Sequence, residues 1–116
     1  WVEYVPYYFN LKVVVKKNVT SVDDLALLPT EFQLHQNYPN PFNPTTTIKY
    51  EVPQISNVKI EVFDVLGRIV KVLVDEQKTT GFYAIKFDGS SLASGIYYYR
   101  IKANEFVQTK KMMLIK

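Results

Sequence analysis

The 116-residue sequence has no cysteine, one histidine, four glycines and no long apolar run, and each shortage removes a class of function. Without cysteine there is no disulfide framework, no thiol nucleophile and no thiolate zinc site. A single imidazole, His35, excludes histidine cages and histidine pairs as metal sites, and beside a tyrosine-rich loop it reads as a surface or hydrogen-bonded residue. Four scattered glycines make neither a dinucleotide fingerprint nor a phosphate loop, and no serine stands in a nucleophile elbow. Asp64, Asp75 and Asp88 fall at predicted strand ends, where turn chemistry favours aspartate. Paired-carboxylate catalysis would need two of them facing a cleft, and the spacing of a calcium loop is missing. No catalytic residue, metal or cofactor is expected.

The lack of an apolar stretch of spanning length argues against membrane insertion, and the sequence shows no charged-then-apolar leader. The 14 basic and 11 acidic residues leave a net charge of +3. It is too small and too dispersed along the chain to suggest a nucleic-acid partner.

Aromatic residues make up 15% of the chain, nine of them tyrosine, and with the Val/Ile/Thr-rich runs they point to sheet rather than helix. Residues 1–16 alternate at unusual length, with Trp1, Val5, Tyr7, Phe9, Leu11, Val13 and Val15 on one face. A straight strand of that length would reach about 50 Å, well beyond the usual five or six residues. It bends near Pro6 or Asn10, or it is an arm whose apolar face another domain or subunit covers by strand addition, or it closes a preceding domain. Because the sequence opens at Trp1 inside this pattern, it reads as a piece of something longer. Residues 17–28 complete a linker, with a capping-box-like Ser21–Asp24 and one helical turn before Pro29.

The most distinctive stretch is Asn37-Tyr38-Pro39-Asn40-Pro41-Phe42-Asn43-Pro44. Its prolines remove donors, fix φ and push their predecessors toward extended geometry, so neither helix nor an interior sheet ladder can pass through. It reads either as a clamp pinned into the core by Tyr38 and Phe42 or as an ordinary proline-rich loop.

Beyond it the pattern is regular. Thr46, Ile48, Tyr50 and Val52 alternate with Thr47, Lys49 and Glu51, and Val58, Ile60 and Val62 alternate with Lys59 and Glu61, so each run is a half-buried strand. Residues 68–75 carry apolar side chains on both faces and are expected to be covered on both sides. Three further strands are predicted, at 83–87, 96–103 and 106–115. Asp64-Val65-Leu66-Gly67 fits a tight hairpin with Gly67 in the left-handed position. Strands at near-regular spacing, with no convincing helix, predict an antiparallel β-sandwich of about seven strands, residues 29–116, preceded by the β-arm and linker of residues 1–28.

Two polar features remain ambiguous from composition alone. Tyr97 and Tyr99 must share one face and Tyr98 the other, which favours core packing with hydroxyls at the sheet margin over a sugar- or base-stacking platform. Lys110-Lys111 in the last strand serve either a partner or protection of a sheet edge.

From about Leu28 onward the sequence resembles the type A C-terminal sorting domain of the type IX secretion system. The resemblance is carried by the clamp, by Thr45-Thr46-Thr47-Ile48-Lys49-Tyr50, by Val62-Phe63-Asp64 with Gly67-Arg68, by Ser94-Gly95-Ile96-Tyr97-Tyr98-Tyr99 and by Lys110-Lys111-Met112. It implies that the sandwich is immunoglobulin-like and acts as a non-catalytic address, which outer-membrane secretion machinery reads after passage through the periplasm, with delivery to the cell surface or medium. It further implies that the readable elements are the clamp, Gly67-Arg68, Gly95 with Tyr97, and Lys110-Lys111. The alternative expectation is a filament subunit that self-associates through residues 1–16.

Overall fold

The computed structural model describes residues 27–116. The expected β-arm and the linker turn before Pro29 lie outside the described residues, apart from the last two residues of that linker. Seven strands follow one another: β1 (Gln33–Leu34), β2 (Thr45–Val52), β3 (Ser56–Phe63), β4 (Ile69–Lys78), β5 (Gly81–Asp88), β6 (Gly95–Ala103) and β7 (Phe106–Leu114). They form two sheets, ordered β1-β2-β5 and β4-β3-β6-β7, and every strand pair is antiparallel. This is the predicted immunoglobulin-like sandwich.

The core lies where alternation puts it. Ile48, Tyr50 and Val52 of β2 face Val58, Ile60 and Val62 of β3, with Tyr97, Tyr99 and Ile101 of β6 beside them, all buried. The β3–β4 hairpin closes at Gly67, whose φ of 83° lies in the region where a Cβ would be strained. Asp64 holds this turn: its Oδ1 accepts the amides of Leu66 and Arg68, and its Oδ2 accepts Arg68 Nε at 2.8 Å.

Strand β4 departs from expectation. It is not covered on both sides but is the outer strand of the four-stranded sheet, leaving Ile69 and Val72 exposed. The apolar residues on its two faces have another origin, namely β-bulges. Ile60 pairs with Val74 but Glu61 with Val72, and Val62 with Lys71 but Phe63 with Ile69. Leu73 and Val70 are thus extra residues on β4, and both pack against the core, Leu73 beside buried Val74. A bulge resets the alternation, so a strand read at strict period two is misassigned beyond it.

Candidate functional site

The proline-rich stretch is a bridge between the two sheets. At one end Tyr38 pairs with Thr47 of β2 through reciprocal backbone bonds of 3.0 and 2.9 Å. At the other, Phe42 pairs in parallel with Leu114: its amide donates to the Met113 carbonyl and its carbonyl accepts the Ile115 amide, both at 2.9 Å. Prolines make such a crossing stiff and leave few donors to satisfy. The X–Pro bonds before Pro39, Pro41 and Pro44 are cis.

Side chains fasten the bridge from below. Asn37 is 2% exposed; its amide donates to the Tyr99 hydroxyl at 2.7 Å, and its Nδ2 donates to Thr46 Oγ1 at 3.0 Å and to the Pro39 carbonyl at 3.2 Å. The Tyr99 hydroxyl in turn donates to the His35 carbonyl at 2.6 Å, and burial pushes its pKa up to about 12. Phe42, 1% exposed, meets Phe87 edge to face at 5.9 Å between centroids.

The expected pair of anchors is therefore half right. Phe42 is a core residue, whereas Tyr38 is 81% exposed. Its backbone spends both hydrogen bonds on β2, which turns the ring outward over a groove of about 900 Å³ shared with His35, Lys49, Glu51 and Phe82. His35 Nε2 and Glu51 Oε2 lie 2.7 Å apart on its floor. Phe82 was not foreseen, although it sits on the same parity of β5 as Lys86, opposite to buried Phe87.

The bridge also occupies the outer edge of β7. Gln36 Nε2 donates to the Lys111 carbonyl at 2.7 Å, and Asn40 Oδ1 accepts the Met113 amide at 3.0 Å. Between Lys111 and Ile115 this edge is paired within the chain, and what β7 presents there is its outward face. Lys110 and Lys111 are split by the pleat: Lys110 stands opposite Tyr99 in the inward register, half-buried, and Lys111 opposite Tyr98 in the outward one, exposed.

The other expected site residues divide between the frame and the surface. Tyr97 is buried, with its hydroxyl donating to the Ala93 carbonyl at 2.7 Å. Gly95 has a φ of 151°, a conformation glycine accepts without strain. Pro39, Asn40, Pro41 and Asn43 are exposed, while Pro44 is half-buried and its carbonyl accepts the Gly89 amide at 2.8 Å.

Two small clefts gather the exposed members on the outer face of the four-stranded sheet. One, of about 150 Å³, joins Asn40 and Pro41 at the tip of the bridge to Ile96, Lys111 and Met113. The other, of about 280 Å³, runs from Gly67 past Phe63 to Tyr98 and Arg100. Arg100 stacks over Phe63 at 4.7 Å and donates to Glu61 at 3.2 Å, and Lys59 lies 3.6 Å from the same carboxylate. Glu61 was read as solvent-facing but is 4% exposed, because these two cationic side chains lie across it. Long stems that cover a neighbour leave no mark in an alternation pattern.

The family model of the secretion system C-terminal sorting domain matches residues 36–116. The chain belongs to that family. The matched region begins at Gln36, where the bridge begins, and ends with the strand that the bridge covers. Among curated proteins none matches the chain significantly. Among solved structures, the sorting domain is similar to part of the dimeric latent PorU of Porphyromonas gingivalis, with TM-score 0.56, 23% identity, and coverage of 69% of this chain and 9% of that one. It is also similar to part of PorZ, an essential bacterial surface component of the type-IX secretion system of the same organism, with TM-score 0.50, 18% identity, and coverage of 83% of this chain and 12% of that one. The chain spans about a tenth of the length of these two proteins, and at such identities the likeness concerns the fold.

Proposed function

We propose that this sorting domain acts as a non-catalytic export signal, read by the outer-membrane machinery of type IX secretion and delivering the protein that carries it to the cell surface or the medium. The observation that carries the reading is the cleft shared by the bridge tip and β7. Asn40-Pro41 and Lys111 are about seventy positions apart, yet they line one surface. A reader that touches both senses a completed sandwich, since neither the bridge nor β7 is in place until both sheets are. Gly67 and Tyr98 line the second cleft of this face, Arg68 follows Gly67 in the turn beside it, and the exposed basic side chains of Arg68 and Lys111 suit an acidic or carbonyl-rich partner.

The test fuses the full 116-residue chain to a reporter in a type IX-competent host. Arg68→Gln with Lys111→Glu removes one exposed charge and reverses another, and leaves in place the core and the bonds from the Leu66 and Arg68 amides to Asp64. Export is expected to fall while the fusion stays folded in the periplasm. Export of the folded double variant at the unmodified level would overturn the assignment of this face.

A further inference from the structure

The two long sides of the sandwich are finished differently. On one side the bridge bonds to the edge of β7 and shields the core beneath it. On the other, β4 and β5 end their sheets, and among the described residues β5 pairs with β2 alone. Alternate residues along the eight of β5 thus present a row of amides and carbonyls unpaired among the described residues, a template for another strand. The seam behind this edge is apolar and incompletely covered: Tyr83 and Ile85 of β5, with Val70 and Leu73 of β4, pack against the core yet remain partly exposed.

We propose that residues 9–16 of the same chain add to the free edge of β5 as an eighth, antiparallel strand, completing a four-on-four sandwich. The segment Phe9-Asn10-Leu11-Lys12-Val13-Val14-Val15-Lys16 is eight residues long, as β5 is. It lacks proline, so every position can donate to a ladder, and it follows Pro6, one of the two positions near which the long alternation is expected to bend. Phe9, Leu11, Val13 and Val15 would face the seam, and Asn10, Lys12 and Lys16 the solvent.

Topology favours the chain's own arm over a neighbour's. Gln33 pairs with Glu51 and Glu51 with Phe82, so β1 starts at the end of the sheet where β5 starts. An antiparallel arm ends there too, three strand spacings from β1, or about 14 Å. The sixteen residues 17–32 can reach about 50 Å when extended. A tether that spans its gap easily presents the arm at an effective concentration of the order of millimolar, well above what a second copy provides in dilute solution.

The cysteine-free chain allows a direct test in the full-length protein. Lys12→Cys is combined in turn with Phe82→Cys, Ala84→Cys and Lys86→Cys, which sample three registers on the outer face. Mild oxidation is expected to give, in one of the three, a disulfide within a single chain, seen as a monomer of altered mobility that reverts on reduction. Disulfide-linked dimers or longer species would overturn the proposal in favour of a neighbour's arm and a filament, and no link in any of the three would leave the edge without this occupant. As a second reading, alternate β5 amides are expected to exchange with solvent at least about tenfold faster after Val13→Pro; unchanged exchange would overturn the proposal. Neither readout depends on secretion.

Discussion

The Tyr99 hydroxyl accepts the Asn37 amide at 2.7 Å across 62 positions of sequence. With its donation to the His35 carbonyl, this one buried oxygen pins the start of the bridge to the middle of the four-stranded sheet. The contact makes the bridge part of the fold rather than a loop laid over it.

Tyr99→Phe removes both bonds while keeping the ring, and leaves the His35 carbonyl and Asn37 amide without this partner. We expect a loss of about 2 kcal/mol in urea unfolding at neutral pH. The pH dependence has a definite sign. Burial raises the tyrosine from its ordinary 10.0 to about 12, so its contribution is complete below pH 10 and is lost as pH rises from there through about 12. The alkaline loss of stability should therefore be shallower in Tyr99→Phe. Superimposable alkaline limbs would refute this.

Phe42 and Tyr38 stand four positions apart in one motif and should behave oppositely. Phe42→Ala empties a site that is 1% exposed and is expected to cost about 3–5 kcal/mol. Tyr38→Ala removes an exposed ring while retaining the backbone pairing to Thr47, and should change stability by no more than about 0.5 kcal/mol. Denaturant midpoints of the two variants decide the matter, and equal losses would contradict the described exposure.

Hydrogen bonds from the Arg68 amide, and then from its side chain and the Leu66 amide, hold the Asp64 carboxyl below its ordinary 3.8. A depressed pKa contributes stability that is fully present above that value and disappears as pH falls through the folded-state pKa. The stability gap between the unmodified chain and Asp64→Asn should accordingly be constant at neutral pH and shrink below 3.8. A gap that persists unchanged down to about pH 2 would be inconsistent with this turn.

The bulges in β4 separate two valines that look equivalent in sequence. Val72→Lys places a charge on an exposed edge position and should be tolerated within about 0.5 kcal/mol. Val74→Lys buries it opposite Ile60 and should prevent folding at ordinary temperature. Circular dichroism melts of both distinguish the bulged register from a regular one, in which the two would respond alike.

Much of this protein was legible from its residues. Period-two alternation set the inward faces of β2, β3 and β6, because a pleated strand with one buried face can hold its apolar residues in only one register. Asp64 and Gly67 marked the hairpin, because few residues accept its backbone geometry. The clamp and the late Gly-x-Tyr and Lys-Lys-Met elements carried the family resemblance, since together they form a long ordered pattern.

Tertiary structure alone decided the rest. Which strands stand at sheet edges depends on pairing between segments far apart, so the exposure of Val72 on β4 and the half-covered seam between β4 and β5 left no local sign. The bulges arise from the fit of β4 to β3 and shift parity without altering composition. The exposure of Tyr38 follows from its backbone pairing with Thr47, and the burial of Glu61 from Arg100 folding over Phe63; each is set by a neighbour rather than by the residue itself. The bridge shows both levels. Its prolines made it rigid by covalent geometry, but only the packing of two sheets determined that it would run from β2 to the edge of β7, hiding Asn37 and Phe42 and displaying Asn40-Pro41 beside Lys111.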